Sequence, residues 1–414
     1  MIRKSFFLYS INVLVLCFFL VLLSIKRSYY VAPAILVLFS FIYIFYTYKS
    51  IEYEYDAKKY VKFSLLYYIV GLFVATLNGD AIPSSFKADH FLLLSIPILF
   101  LLIRYRPNFK FLTIVFGVSC LFYGIQSLYN KFYLGIDRAF DPDIINPIPA
   151  AAIIMTVTLY CIALGFHYLE KKVKVKIGVF LLFSSYIGLL GNIATGSRGS
   201  WIVFPFVLFF LFFKYKKSLK RVVYSFFMLL ISIIIVVSII PQFGVSKRYQ
   251  AALDNITQYV DDSNAHSSVG VRFDLYKGAW YAIQEKPILG WGRDGMLHKR
   301  HEQAESGVIP NYTKDYTHSH NQFIEQTYHR GIIGLFVLLL LIYTFLKYFI
   351  DVYKNSSVED RKIIALLGVI NIFGLIFFNL TDSLLINKEY AMFFYMCNVI
   401  FYAMTIDNNR RLTE

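Results

Sequence analysis

Apolar runs of roughly 17–22 residues recur along nearly the whole chain, with short polar segments between them. That length matches the helix needed to cross the hydrocarbon core of a bilayer, and the runs do not alternate in polarity as transmembrane β-strands would. The pattern predicts an all-α polytopic membrane protein with about twelve transmembrane helices. The predicted spans lie near residues 5–25, 29–48, 60–77, 91–103, 109–129, 148–170, 177–194, 199–213, 222–240, 332–350, 363–379 and 390–406.

One polar segment, residues 241–331, is much longer than the others. It divides the chain into helices 1–9 (1–240), a large loop (241–331), and helices 10–12 with a tail (332–414). Helical spacing predicts two amphipathic helices in the loop, and Pro287 ends the second. Their apolar faces would be Tyr249, Ala252, Leu253, Ile256 and Tyr259 in the first, and Phe273, Tyr276, Ala279, Trp280 and Ile283 in the second.

The charge distribution gives the orientation. Of 414 residues, 57% are hydrophobic and 16% charged, and the formal net charge is +15. The basic residues are spread over short loops, which argues against nucleic-acid binding. With both termini in the cytoplasm, about 23 basic residues face inward and about seven lie in short outer loops, as the positive-inside rule requires. The large loop, between the ninth and tenth spans, is then on the outer side of the membrane and helical.

Arginines are the first candidates for chemistry at the outer face. Arg198, in "ATGSRGSW", sits where a helix begins to run inward. A helix N-terminus and a guanidinium together favour a phosphate, although a snorkelling arginine would also fit. Arg272 follows Gly270 near a helix start, where an anionic ligand or an ordinary surface charge would explain it. Arg138 lies in the loop before the sixth span.

Histidines and one aspartate are the second candidates. "YTHSHNQFIEQTYHRGIIGLF" contains His318 and His320, which would be about 200° apart on a helix and could not face one ligand together. A neutral imidazole suits a general base. No carboxylate or thiolate spacing completes a metal site around these histidines or around His298 and His301, so no metal is expected. Asp382, after the eleventh span, could pair with an arginine, orient the histidine or cap the next helix.

This set of residues resembles the O-antigen ligase family, within the group of O-antigen ligases and polymerases. The family motif is His, then Asn, Ser or Gln, nine residues, Gly, two residues, and Gly, Thr or Tyr. It stands here as His320, Asn321, Gly331 and Gly334. By the same resemblance Arg198 and Arg272 match the functional arginines, and Asp382 matches the late aspartate. Asp137–Arg138 also looks like ligase sequence.

The resemblance implies a glycosyltransferase of lipopolysaccharide biosynthesis in the bacterial inner membrane. It would transfer O-antigen from undecaprenyl diphosphate to the lipid A core at the periplasmic face, with inversion and without a cofactor. His320 would be the base, and Arg198, Arg272 and Arg138 would bind diphosphate, among membrane lipids. Asp382, Asn321 and His318 would support the site. Gly331 would end the histidine's helix, and Gly334 would let helices pack closely.

Two other functions stay open at this point. An O-antigen polymerase would share the donor and the topology, and the sequence does not reveal the acceptor. A transporter of lipid-linked sugars belongs to a different class and would place polar groups near the bilayer midplane. The predicted spans are nearly free of ionisable residues, which favours chemistry at one surface.

Overall fold

A computed structural model describes residues 2–47, 55–80, 88–140, 145–172, 174–244, 250 and 269–407. Within these ranges the chain forms fourteen α-helices and no β-strand. The helices are α1 Ile2–Val21, α2 Val31–Thr47, α3 Tyr55–Leu77, α4 Asp89–Arg104, α5 Phe109–Phe132, α6 Pro147–Glu170, α7 Val175–Ala194, α8 Val203–Tyr215, α9 Lys220–Ile239, α10 Gly270–Glu285, α11 Gly292–Glu305, α12 Gln322–Asn355, α13 Glu359–Phe378 and α14 Lys388–Thr405. Short 3-10 turns occur at Ser28–Tyr30, Arg198–Trp201, Pro241–Phe243, Asn311–Thr313 and Leu384–Ile386.

The helices follow the predicted apolar runs, so the polytopic helical class is confirmed. Among the described helices, nine are long and apolar enough to cross a membrane. Helices α1, α4 and α14 are outside that group: the apolar part of α1 is only Ser5–Val21, and α4 has 16 residues with Pro97 inside. The number twelve therefore stays a prediction.

Burial separates central helices from peripheral ones. In the most apolar 18-residue stretch of α6, 94% is buried inside the protein, whereas in the corresponding stretch of α9 only 22% is buried. An apolar helix with so little protein around it needs lipid as its solvent. At the centre, glycines let backbones approach closely: a Cβ on Gly191 of α7 would lie 2.5 Å from the Gly124 Cα of α5.

The second predicted loop helix is observed as α10, and Pro287 follows its end. Its predicted apolar face is wrong in part, because Phe273 and Trp280 are 44% and 62% exposed. The helix packs instead through small residues such as Gly278, where a Cβ would meet the Gln303 side chain of α11 at 2.9 Å. The first predicted loop helix, with Tyr249 to Tyr259, lies outside the described residues.

Helix α12 is interrupted at Gly331, whose backbone is non-helical (φ 63°, ψ −169°). Tyr328 O and Ile332 N–H would normally bond each other in a helix. Here Tyr328 O accepts Trp291 N–H at 3.0 Å, and Ile332 N–H donates to Pro287 O at 2.8 Å. Residues 287–291 (the link), which belong to the chain between α10 and α11, thus enter the break and satisfy both groups.

At Gly334 the predicted role in packing between helices stays a prediction. A Cβ added there would lie 2.2 Å from the Arg330 Cβ and 3.4 Å from Gln326 Nε2. Both neighbours belong to α12, so the glycine makes room for the chain's own side chains beside the break.

We predict that Gly331→Ala destabilises the protein. The substitution forces an L-residue into positive φ and places its Cβ 2.1 Å from Ile288 O. The expected cost is about 1–3 kcal/mol, measured as a lower melting temperature in detergent. Gly295→Ala in α11 is the matched control, because its nearest neighbouring atom is 3.6 Å away. Equal melting temperatures for the two variants would contradict the analysis of the break.

Candidate active site

The site forms where the chain after α13 is joined to the start of α12. We call residues 379–385 the aspartate turn. Gln322 N–H donates to Asn379 O at 2.9 Å. The Gln322 side-chain oxygen accepts Leu385 N–H at 3.1 Å. These bonds hold residues 316–321, the histidine segment, against the aspartate turn.

Asp382 lies between two histidines. Its Oδ1 atom is 3.2 Å from His318 Nε2 and 3.3 Å from His320 Nδ1. The two rings are 4.3 Å apart between centroids. The same oxygen accepts Ser383 N–H at 2.7 Å. The Asp382 side chain is only 8% exposed, whereas the two histidine side chains are 25% and 17% exposed.

The expectation that His318 and His320 face different directions is wrong. It assumed helix through both residues, but α12 begins only at Gln322. Asn321 caps α12 by accepting the N–H groups of Phe323 and Ile324 at 3.0 and 3.2 Å. His320 has a left-handed backbone (φ 51°), which non-glycine residues adopt at an energetic cost. That conformation turns both rings to one carboxylate.

The charge of Asp382 depends on its two neighbours. Burial would raise the pKa of Asp382, because a carboxylate loses solvation inside the protein. The contacts with His318 and His320 outweigh burial and hold the pKa well below its ordinary value. Asp382 is therefore ionised whenever the surrounding site is folded at neutral pH.

Buried side chains clamp the histidine segment. The Ser319 N–H donates to Glu325 Oε2 at 2.8 Å. Arg300, 2% exposed, donates to Ser319 Oγ at 3.4 Å and to Tyr316 O. The Tyr276 hydroxyl of α10 donates to His320 O at 3.1 Å. The backbone between the two histidines is thus fixed by groups from α10, α11 and α12.

The histidines and Asp382 open into a polar cavity of about 320 Å³. Among the described residues that line it, the arginines are Arg293 and Arg330. Arg330 is buried and donates to Asp89 Oδ2 at 2.5 Å. The other lining residues are Tyr67, Ala88, Asn146, Ile148, Pro149, Thr317, Gln322, Glu325, Gln326, His329, Ser383, Leu384, Leu385, Ile386 and Asn387.

Asp80 joins the loop helices to the bundle. Its carboxylate accepts the N–H groups of Arg293 and Asp294 at 2.8 and 3.2 Å, so it caps α11 from the end of α3. Burial would raise the Asp80 pKa, but the nearby His329 and the two N–H groups lower it below the ordinary value. An ionised carboxylate at a helix N-terminus is stabilising.

The short segment 197–199 connects two of the predicted arginines to the aspartate turn. Arg138 donates to Ser197 Oγ at 2.8 Å. Arg198 begins the following 3-10 turn, and a Cβ on the next residue, Gly199, would lie 2.4 Å from Thr381 Oγ1. The 3-10 turn that begins at Arg198 therefore touches Thr381, the residue before Asp382.

Arg272 reaches the site through Tyr276. Both lie on α10, one turn apart. Burial raises the pKa of the Tyr276 hydroxyl, the charge of Arg272 lowers it, and that of Asp382 raises it. Arg272 and Asp382 thus act on the same hydroxyl, which donates to His320 O. Of the predicted site residues, His318, His320 and Asp382 line the cavity, whereas Arg138, Arg198 and Arg272 are not among its described lining residues.

Sequence reasoning missed Glu325, Arg300, Tyr276 and Arg330. Glu325 and Arg330 are inside the histidine motif, and their adjacency to His320 was the available signal. Arg300 lies between two exposed histidines, His298 and His301, and no sequence signal distinguishes it from a surface arginine. The contacts of Arg300 and Tyr276 join separate elements, so no local pattern marks them.

The cluster also has the composition of a metal-ligand set. His318, His320 and Asp382 offer ligand atoms that all lie within 4.8 Å of one another. The expectation that no carboxylate completes a histidine site was therefore wrong, because Asp382 arrives from 62 positions beyond His320 in the chain (382 − 320). The fold, not sequence spacing, brings it there.

Fold and site together define a multi-pass helical membrane protein with a polar site at helix ends. The sequence model of the family described as O-Antigen ligase matches residues 181–339. A protein of Haemophilus influenzae, described only as an uncharacterized protein, is 31% identical over 408 residues, covering 97% of this chain and 100% of that protein. The chain belongs to the O-antigen ligase family, whose members are glycosyltransferase-like enzymes of O-antigen and glycan assembly.

We predict that Asp382→Asn destabilises the protein in a pH-dependent way. Since the folded-state pKa of Asp382 is lowered, its contribution is complete above the ordinary value of about 3.9 and is lost as pH falls below it. Near pH 6 the free energy of unfolding of the wild type should exceed that of the variant by about 1–3 kcal/mol. Melting experiments should show this difference narrowing as the pH falls toward 3.

The matched control is Asp137→Asn, because the Asp137 side chain is 87% exposed in its ion pair with Lys131. An exposed pair contributes little to stability. A gap between wild type and Asp382→Asn that is the same at every pH would show that the lost charge is not the cause.

Proposed function

We propose that this protein is an O-antigen ligase. It transfers the glycan from undecaprenyl diphosphate to a sugar hydroxyl of the lipid A core, with inversion at the anomeric carbon. We place both termini in the cytoplasm of the bacterial inner membrane and residues 241–331 on the periplasmic side. The proposal rests on family membership and on one observation: the contact of His320 and His318 with a single buried carboxylate.

That contact supports His320 as the general base. Asp382 faces Nδ1 of the ring, at 3.3 Å. A carboxylate at Nδ1 favours the tautomer with its proton on that nitrogen, which leaves the lone pair on Nε2. A base held in this way already has the correct tautomer and orientation when it accepts a proton.

The arginines support handling of the donor. Arg198 precedes Gly199, which packs on Thr381 of the aspartate turn. Arg272 lies one helical turn before Tyr276, which donates to His320 O, and Arg138 donates to Ser197 Oγ. Guanidinium groups suit phosphate oxygens because their donors form a planar fork. We assign the three arginines to the diphosphate, whose negative charge grows as the glycosyl bond breaks.

The proposed step balances without a cofactor. His320 Nε2 accepts the proton of the acceptor hydroxyl while that oxygen attacks the anomeric carbon. The bond from the anomeric carbon to the diphosphate oxygen breaks, and its electron pair leaves with undecaprenyl diphosphate. Direct displacement at one face of the sugar inverts the configuration.

An O-antigen polymerase is the alternative that shares this donor chemistry, and the same family group includes such enzymes. A transporter of lipid-linked sugars is the alternative from another class. The described ion pairs near the site, such as Arg330 with Asp89, lie at helix ends. Polar groups at helix ends favour surface chemistry over a pathway through the midplane.

We expect the purified protein, reconstituted with lipid-linked glycan and core acceptor, to produce glycan on lipid A core at an unchanged rate in EDTA. The reason is that arginines and a histidine supply the charge stabilisation and the base. The products are separated by electrophoresis. Longer glycan still on the carrier would indicate a polymerase, and movement without bond change a transporter. Activity lost in EDTA and restored by one metal would contradict the metal-free step.

We predict that His320→Ala slows transfer by about 10²–10⁴-fold and that His318→Ala is milder. Both rings contact Asp382, but only loss of His320 removes the proposed base. The His320 effect should fall on kcat more than on KM. His298→Ala, an exposed histidine of α11, is the control. A His320→Ala protein that transfers normally while His318→Ala is inactive would reverse the assignment.

We predict that Arg198→Ala and Arg272→Ala each reduce transfer by about 10²–10³-fold, and that Lys restores little because it lacks the planar fork. Rates are compared at equal protein levels in proteoliposomes. Arg221→Ala, at the exposed start of α9, serves as the control. If either variant transfers glycan at nearly the wild-type rate, the arginine that it lacks does not bind the diphosphate.

A further inference from the structure

We propose that His318, His320 and Asp382 form a binding site for Zn²⁺ and that the bound ion switches transfer off. The ion is a reversible inhibitor, distinct from the reaction, which proceeds without metal. The binding half of this proposal stands on geometry alone. The inhibition half rests on the proposed role of His320 as the base.

The separations between the ligand atoms suit zinc. Bonds of about 2.0–2.2 Å from tetrahedral Zn²⁺ to histidine nitrogen and carboxylate oxygen place neighbouring ligand atoms about 3.3–3.5 Å apart. The two contacts of Asp382 Oδ1 with the histidine nitrogens measure 3.2 and 3.3 Å. All three ligand atoms fit within 4.8 Å. Two imidazoles and one carboxylate are a donor set that zinc prefers.

One of the ligand atoms, His320 Nδ1, faces the Asp382 carboxylate, but the contact lacks the geometry of a hydrogen bond. His320 Nδ1 is buried and makes no hydrogen bond among the described residues, although it lies close to Asp382. A buried polar atom without a hydrogen bond is costly. A metal ion between Nδ1 and the carboxylate would satisfy it.

Supporting contacts hold the other ligands in the orientation that a metal needs. Thr317 Oγ1 is 3.3 Å from His318 Nδ1, the nitrogen that points away from Asp382. Asp382 Oδ1 is fixed by Ser383 N–H. Such outer contacts set the tautomer and the direction of metal ligands. Since all three ligands line the polar cavity, water can complete the coordination.

The charges of the cavity also favour a cation. Its described lining includes the carboxylates of Asp89, Glu325 and Asp382 against the guanidinium groups of Arg293 and Arg330. Arg330 is already paired with Asp89 at 2.5 Å. A divalent ion beside Asp382 is therefore added to a site with acidic groups in excess.

Inhibition follows from the protons of the imidazole ring. A neutral imidazole has one lone pair and one N–H. If the Nδ1 lone pair of His320 binds Zn²⁺, the proton must reside on Nε2, which then cannot accept a proton from the acceptor hydroxyl. Zinc thus removes the base without touching the arginines, and a chelator returns it.

Equilibrium dialysis of the chelator-stripped, full-length protein in detergent against Zn²⁺ tests the binding. We expect one tight zinc per chain. Loss of an outer supporting group lowers metal affinity by about 10–100-fold. His318→Ala and Asp382→Asn remove ligands and should weaken zinc binding by more than that. The His298→Ala/His301→Ala double variant, which removes two exposed histidines of α11, should keep the tight site. No saturable site, or one lost only in the control, overturns the proposal.

A second measurement needs no variant and so does not depend on folding of the mutants. Histidines of the wild type are modified with diethyl pyrocarbonate, with and without Zn²⁺, and quantified by peptide mass spectrometry. We expect zinc to protect His318 and His320 and to leave His298 and His301 unprotected. Equal modification with and without zinc at His318 and His320 overturns the site.

The activity arm separates the two proposals. Zn²⁺ should inhibit transfer by the wild type with the same midpoint as its binding, and EDTA should restore the full rate. Transfer that depends on His320 but is insensitive to bound zinc overturns the inhibition and leaves the proposed function standing. Zinc binding in a protein without transferase activity leaves the site standing and overturns the function.

Discussion

The site is organised by one buried negative charge. A carboxylate removed from water is costly unless partners surround it, and Asp382 is 8% exposed. Its partners are two histidine rings and the Ser383 N–H. Reaching both rings requires the unfavourable backbone of His320, so the electrostatic gain and the backbone strain are parts of one arrangement.

That arrangement also explains why distant segments meet. The aspartate turn is bonded to the start of α12 through Gln322, and the Arg198 turn packs on it where Gly199 leaves no room for a Cβ beside Thr381. Helix α10 adds Tyr276 from the third side. Each of these hydrogen bonds has a backbone group on at least one side, and the Gly199 contact joins two small residues. Such contacts fix position more tightly than contacts between two long flexible side chains would.

Much of the fold was readable from the sequence, and part of the site was not. Apolar run length locates the helices because lipid forces every spanning backbone to bond internally. The geometry of His318 and His320 was missed because helical periodicity was applied to residues that precede the helix. Asn321, a preferred N-cap residue, was the available signal that helix begins only afterwards. The clamp by Arg300 and Glu325 joins separate elements, and such polar contacts leave no periodic trace.

The break at Gly331 has a mechanical consequence. Membrane helices tilt to match the thickness of the bilayer around them, and an unbroken α12 would carry each tilt directly into its first turn. Here the portion before Gly331 is tied to the aspartate turn, and the portion after it is joined through a break that the link occupies. The position of the histidines therefore depends on the contacts of the aspartate turn and the link, and not on the direction of the lipid-embedded portion alone.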